Sequence, residues 1–241
     1  MARDWLIKSD LINRRGLWIP WKIELSEEAE ADILLAGWAA HDFYKSEISG
    51  LGRVQTRDNG IFFIPEIIIP VQRCSIAGTT ILGEIMDEAF QELEAAGKNP
   101  LEYNFWWHSH VKGSARFSST DDFMIDQRLR TMMTSVHARY LSQNEVIPDE
   151  VVSGPFFSLV GNVYRHMKAR CDFLYRCGEE YRQGTFVIPV LRPLEILPAM
   201  EQNRILIGRA PAITAFVRQR VSREPPLRPD RVKENQGDED D

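Results

Sequence analysis

The segment Tyr103 to His110, YNFWWHSH, constrains this chain more than any other. Its composition predicts a β-strand, and the two-residue period of a strand places Trp106, His108 and His110 on one face. Phe105, Trp107 and Ser109 fall on the other. After His110 come seven residues and then Ser118, then two more and Asp121, where the pattern changes to a helix running from Ser119 through Phe123, Ile125, Leu129 and Met132-Met133. A strand that delivers two imidazoles to one face is thus followed, after a short loop, by a helix that begins with a hydroxyl and a carboxylate.

The rest of the chain supplies a frame for this unit. Leu17 to Leu25 reads as a strand despite Pro20, which suits an edge or initial position. Ser26 reads as an N-cap, with Glu27 and Glu28 at the acid-favouring start of a helix. Ala29, Ile33, Ala36, Gly37 and Ala40 give that helix a face of small residues suited to packing on a sheet. Glu47 to Val54 predicts a second strand and Ile61 to Val71 a third, joined through the hairpin signal Asp58-Asn59-Gly60. Ile81, Leu82, Ile85, Ala89, Phe90 and Leu93 recur at helical spacing, ended by Gly97 and Pro100. After a polar loop around Gln143 to Glu150, Pro155 to Val160 and Val163 to Leu174 predict two closing strands turned around Gly161-Asn162. The order β-α-β-β-α-β-α-β-β predicts an α/β fold: a mixed β-sheet with helices packed on it. No internal repeat is visible.

Beyond Gly184 the character changes. Val187 to Leu197 is apolar but carries Pro189, Pro193 and Pro198, which predicts extended chain. Ile205 to Val217 fits a short strand or a helix. Residues 181–217 therefore read as an irregular C-terminal extension lying on or beside the domain. Residues 218–241, rich in Arg, Pro, Glu and Asp, read as a disordered charged tail.

Two histidines two apart on a strand lie roughly 7 Å apart at their Cα atoms. A carboxylate returned by a short loop adds a third donor, and two His with one Asp leave one position of a tetrahedral Zn²⁺ open, as catalytic sites do. The same donor set also matches the facial triad of non-haem Fe(II) oxygenases. Blander readings stand beside these. Either histidine alone is an ordinary strand residue, and Ser118-x-x-Asp121 alone is a capping box.

Taken together, His108, His110, Ser118 and Asp121, with Glu47 upstream, resemble the JAMM (MPN+) zinc metalloprotease motif: Glu, then His-x-His, seven residues, Ser, two residues and Asp. The strand order is similar too, with Phe157-Ser158-Leu159-Val160 where a late core strand would lie. The resemblance covers residues 17–180 and departs at Val111, where many members carry Pro. It implies a cytidine-deaminase-like JAMM/MPN-type domain in which His108, His110 and Asp121 hold Zn²⁺. Glu47 would be the general base on water, and Ser118 would donate to the oxyanion. Glu66, Glu84 and Glu102 compete with Glu47 as bases: Glu84 sits on an amphipathic helix face, whereas spacing alone does not separate Glu66 and Glu102. The substrate so implied is the C-terminal (iso)peptide bond of a ubiquitin or ubiquitin-like protein, with the loops 112–117 and 142–152 as walls of its groove. Other peptides or a sulfur-carrier-like protein are alternatives, as is a non-catalytic MPN-type scaffold. Scaffold relatives typically lack one or more of the polar residues that this chain retains.

Charge and cysteine usage narrow the partners. A net charge of −6 offers no broad phosphate-binding field, which argues against general nucleic-acid binding. The basic residues Arg218 to Lys233 are interleaved with acids and read as a solvated tail. Cys74, Cys171 and Cys177 lack CxxC spacing and read as free thiols of a reducing compartment. The first sixteen residues show no signal-peptide pattern, and no run reaches the ~18–20 apolar residues of a membrane span. The expectation is a cytoplasmic protein without membrane contact, of unspecified oligomeric state.

Overall fold

The computed structural model describes residues 22–57, 61–76, 78–80, 83–111, 113–142, 153–177 and 180–223. The first elements are Lys22–Leu25 (β1), Glu27–Tyr44 (α1), Ile48–Gly52 (β2), Gln55–Arg57 (β3), Ile61–Ile64 (β4) and Ile67–Ile68 (β5). Gln72–Ser75 (β6), Gly78–Thr80 (β7), Gly83–Ala95 (α2), Phe105–His110 (β8) and Ser119–Ser142 (α3) follow. The chain continues through Ser153–Asn162 (β9), Met167–Cys177 (β10), Glu180–Ile188 (β11) and Val190–Leu191 (β12). Pro193–Ile196 (α4), Ala199–Arg220 (α5) and Val221–Arg223 (β13) complete it. The class is mixed α/β.

Six strands form the central sheet in the order β11-β10-β9-β8-β2-β5. β8 lies inside it, antiparallel to β2 and parallel to β9. Phe105 and Trp107 join the core cluster that contains Ala29, Ile33, Ala36 and Ala40 of α1, as the small-residue face predicts. Gly37 lets α1 come close: a methyl there would meet Ser109 Cβ at 3.3 Å. On the opposite face, Ile125 and Leu129 of α3 pack with Phe156, Leu174 and Trp106. Phe90 and Leu93 of α2 close over Leu51 and Tyr103. β8 therefore has α1 behind it and α2 and α3 in front.

Local signals act as read in several places. Ser26 Oγ accepts Ala29 N–H at 3.0 Å and caps α1. The turn at 58–60 lies outside the described residues, but β3 and β4 pair antiparallel on either side of it. Other boundaries differ. The single strand expected over Ile61 to Val71 is two, β4 and β5, interrupted at Pro65-Glu66. Gly161 and Asn162 are not a turn but the end of β9, which pairs onward with the end of β8. The turn is 163–166, with Arg165 in the left-handed region at φ 67°.

The C-terminal expectation is corrected most. Residues 181–217 are neither irregular nor merely beside the domain. The β10–β11 hairpin straddles position 180, from Cys177↔Glu180 to Ala169↔Ile188. β12 pairs with β1. Pro193 does not hold the chain extended but takes the first turn of α4, where its missing N–H costs nothing. The helix α5 runs through Pro211 because it packs on α1 with Leu206 and Val217 buried, and a two-point Arg209–Asp32 pair at 2.6 Å ties the helices. The boundary at 218 also falls inside order: β13 pairs parallel with β6, and Val221 is buried. Residues 224–241 lie outside the described part. Cys74 and Cys171 are buried; burial, with Asp172 adding to it, pushes the Cys171 thiol well up, away from nucleophilic use. Among the described residues no helix is long and apolar enough to cross a membrane.

Candidate metal centre

β8 and the start of α3 bring His108, His110 and Asp121 together, with donor atoms all within 4.8 Å of one another. The expected faces are real: Trp106 stacks on His108 with ring centroids 4.7 Å apart, and His108 and His110 rings lie 5.1 Å apart. His108 and Asp121 are buried while His110 is half-buried, so the cluster opens on the His110 side.

The capping-box reading of Ser118 and Asp121 and the ligand reading of Asp121 are compatible, because they use different oxygens. Asp121 Oδ2 accepts the Ser118 backbone N–H at 2.6 Å and its hydroxyl at 2.8 Å. Asp121 N–H in turn donates to Ser118 Oγ at 3.2 Å. That reciprocal box aims the other oxygen, Oδ1, at His108 Nε2, 3.4 Å away. The helix N-terminus is the mount and the spare oxygen is the donor.

His110 is oriented as a ligand needs to be. Its Nδ1 faces the Ser114 carbonyl at 3.2 Å. A carbonyl only accepts, so Nδ1 carries the hydrogen and Nε2 presents its lone pair to the cluster. His108 Nε2 lies 3.2 Å from His110 Nε2. With His110 Nε2 as an acceptor, His108 Nε2 either carries a proton or shares a cation with it. A four-coordinate zinc with bonds of roughly 2.0–2.1 Å holds its donors roughly 3.3–3.4 Å apart, close to the 3.2 and 3.4 Å seen here. Two of the three donor–donor edges therefore match a small tetrahedral cation, and the third lies within 4.8 Å.

The electrostatics bear on two of the three donors. Burial by itself would raise the Asp121 carboxyl, but the hydrogen bond and charge of His108 and the two Ser118 donors outweigh it and hold the group down at about 2. His110 is lowered, chiefly by burial and then by His108, against the opposing pull of Ser114 O and Asp121. At neutral pH this leaves a carboxylate and a neutral imidazole at His110, the states in which both ligate.

Glu47 precedes Ile48, whose partner in β8 is Ser109, so Glu47 stands at the His110 end of the site. Burial pushes its carboxyl up to about 8, and the Asp121 charge adds to the rise. No hydrogen bond to that carboxyl is formed among the described residues. Its backbone is held by an arrangement the sequence does not announce. Glu47 N–H donates to Ser75 O at 2.9 Å, and the buried Gln72 side chain accepts Ser49 N–H and donates to Ser49 O at 2.9 and 2.8 Å. A side-chain amide thus continues the sheet past the end of β5 and splices β6 onto β2.

The rival bases are engaged elsewhere. Glu66 binds Lys98 and accepts the Tyr103 hydroxyl at 2.9 Å, and Glu102 accepts Arg53 Nε at 2.5 Å. The Glu84 side chain lies outside the described residues.

One supporting group was not singled out from the sequence. Arg170 on β10 is buried, donates to Asp122 Oδ1 at 2.5 Å, and sits 4.3 Å over the Phe117 ring. Phe117 contacts His108 edge-on at 6.0 Å. Arg170 Nε also lies 2.8 Å from the fully buried Asp172, close enough for an ion pair though not aligned as a hydrogen bond. The available signal was an arginine and an acid two apart on one strand, at the alternation that places them on the same face.

Comparison with protein-family models and with curated proteins finds no match to this chain. The chemistry of the site therefore rests on its own geometry.

Proposed function

We propose that this chain is a zinc-dependent isopeptidase or peptidase, with a JAMM/MPN-type domain of cytidine-deaminase-like fold, that hydrolyses the bond at the C-terminus of a ubiquitin-like protein. The observation that carries the reading is the convergence of His108 Nε2, His110 Nε2 and Asp121 Oδ1, with the carboxyl of Glu47, unbonded among the described residues, at the same end of β8. His108, His110 and Asp121 would hold the ion. When bound, zinc supplies Lewis-acid stabilisation of developing negative charge and acidifies water in its coordination sphere to a pKa of about 7.

Glu47 takes a proton from the attacking water and delivers it to the leaving amine. Its high pKa suits the second half of that cycle. A cation beside Asp121 offsets the charge that helps raise Glu47 and draws the carboxyl towards the ionised form the first half needs. Ser118 has two contributions. Its backbone N–H keeps Asp121 Oδ2 in place, while its hydroxyl, at an exposed residue, turns from Asp121 to the oxyanion of the tetrahedral intermediate.

The test is metal content and cleavage together. Purified protein is expected to hold one zinc and to cut a ubiquitin-like fusion in a chelator-sensitive way, whereas His108→Ala and Asp121→Ala purify without zinc. Full zinc in both variants sinks the ligand assignment. Iron in place of zinc turns the reading towards the rival facial-triad chemistry, and zinc without cleavage of any fusion or peptide favours a scaffold.

A further inference from the structure

A groove of about 640 Å³ opens beside the candidate centre. One wall is the loop after β8, residues 114–116, and the other is the 163–166 turn with the start of β10. Its near end is one hydrogen bond from the cluster, since Ser114 O is the acceptor that orients His110. The buried Asn162 staples the walls: its Nδ2 donates to Gly113 O at 2.9 Å, and its Oδ1 accepts Tyr164 N–H and His166 N–H at 3.0 Å each. The groove is a built feature of the same strand ends that carry His110.

Its charge is opposite to that of the whole molecule. Arg116 and Lys168 line it, are exposed, and have no acidic partner among the described residues. Arg165 lines it as well, reaching only the neutral amide of Gln202 at 3.3 Å and lying over the Trp38 ring at 5.2 Å. Arg192 is different, because Glu30 and Glu195 both pair with it, which also removes from play the groove's one acid among the described residues. Three uncompensated cations thus face one channel on a chain of net charge −6. Clefts lined by one sign of charge concentrate ligands of the other.

We infer that this groove receives an acidic stretch of the polypeptide whose bond is cut at the His108–His110–Asp121 centre, so that substrates are selected for acidic residues a few positions from that bond. The inference rests on the peptidase reading for the identity of the ligand as a polypeptide. The basic walls themselves do not depend on it. An extended chain advances ~3.3 Å per residue, and a segment lying between 114–116 and 164–168 would run past Arg116, Arg165 and Lys168.

Binding tests this independently of turnover. Zinc-loaded full-length protein is titrated, by fluorescence anisotropy, with labelled peptides of equal length built on Gly-Glu-Ser or Gly-Lys-Ser repeats, and with oligothymidylate. The acidic peptide is expected to bind about tenfold tighter than the basic one, and the preference should shrink with added salt. Arg116→Glu with Lys168→Glu should invert the preference while leaving the melting temperature and zinc content unchanged, since both side chains are exposed. Equal binding of the two peptides overturns the inference, as does a preference that survives charge reversal. Tighter binding of oligothymidylate than of the acidic peptide also overturns it, and makes the groove a phosphate tract. Fusions carrying acidic or basic flanks then separate the two claims. Acid-selective binding with no fusion cut leaves the groove standing and removes the peptidase reading. Cleavage indifferent to the flank, with binding equally indifferent, does the reverse.

Discussion

At the scale of single residues, Asp121 shows how one side chain can serve a helix and a candidate metal centre together. Oδ2 closes the capping box and Oδ1 is left for the cluster. Glu47 tests the proposed chemistry most directly. Glu47→Gln keeps shape but cannot accept the proton from water, so turnover should fall by about 10²–10⁴-fold. Zinc content should be unchanged, as a zinc titration would show; loss of zinc would make Glu47 a ligand instead. Glu66 is a control with a different signature. Burial would raise it, but Lys98 and Tyr103, with Arg53 behind them, outweigh that and lower it from the ordinary 4.5. A lowered carboxyl contributes stability that is full above its unfolded pKa and is lost as pH falls through the folded one. Melting curves of Glu66→Gln and the parent should therefore differ most above pH 4.5 and converge below it, while cleavage at neutral pH persists. Divergence that grows towards acid would contradict the ion-pair assignment.

At the scale of elements, the site depends on how α3 is seated on the sheet. Ile125 and Leu129 bury the helix face, while Arg170 ties its first turn to β10 through Asp122 and Phe117. Removing one partner of a buried ion pair typically costs about 3–5 kcal/mol, because the other charge is left in place. Arg170→Met should cost about that much in urea unfolding, with Asp172 stranded at 0% exposure. It should also weaken zinc binding by about 10–100-fold, the usual loss when support behind ligands is removed. Adding Asp172→Asn should restore much of the stability, since the amide oxygen still accepts from Thr185 and Gln183. It should restore little of the zinc affinity, because Asp122 remains untied. Equal recovery of both would mean that Arg170 acts only on the core.

At the scale of the whole molecule, the C-terminal third is part of the machinery that holds Glu47. β13 pairs with β6, and β6 is the strand whose Ser75 carbonyl and Gln72 side chain grip the Glu47 end of β2. Val217 and Val221 belong to the main core with α1 and β8. A chain ending at 223 should melt as the full chain does. A chain ending at 216 loses both valines, each worth about 1.5–3 kcal/mol when fully buried, and should lose about 3–6 kcal/mol of stability. Coincident melting midpoints for the two truncations would show that β13 contributes nothing.

What the sequence determined alone was local. The strand period placed Trp106, His108 and His110 on one face, the Ser118–Asp121 spacing set a helix start beside them, and the small residues of α1 announced a packed face. Each of these is written within a few residues, where periodicity and capping act. Tertiary structure decided the rest. Nothing near Val221 reads as a strand, because three residues among arginines and prolines gain a strand's hydrogen bonds only from β6, some 150 residues away in the chain. Ile205 to Val217 left strand and helix open, and burial of α5 on α1 decided for a helix that runs through Pro211. The separation of Glu47 from Glu66 and Glu102 was likewise invisible to spacing. It came from long-range pairing, which tied Glu66 and Glu102 to Lys98, Tyr103 and Arg53 and left Glu47 desolvated beside Asp121.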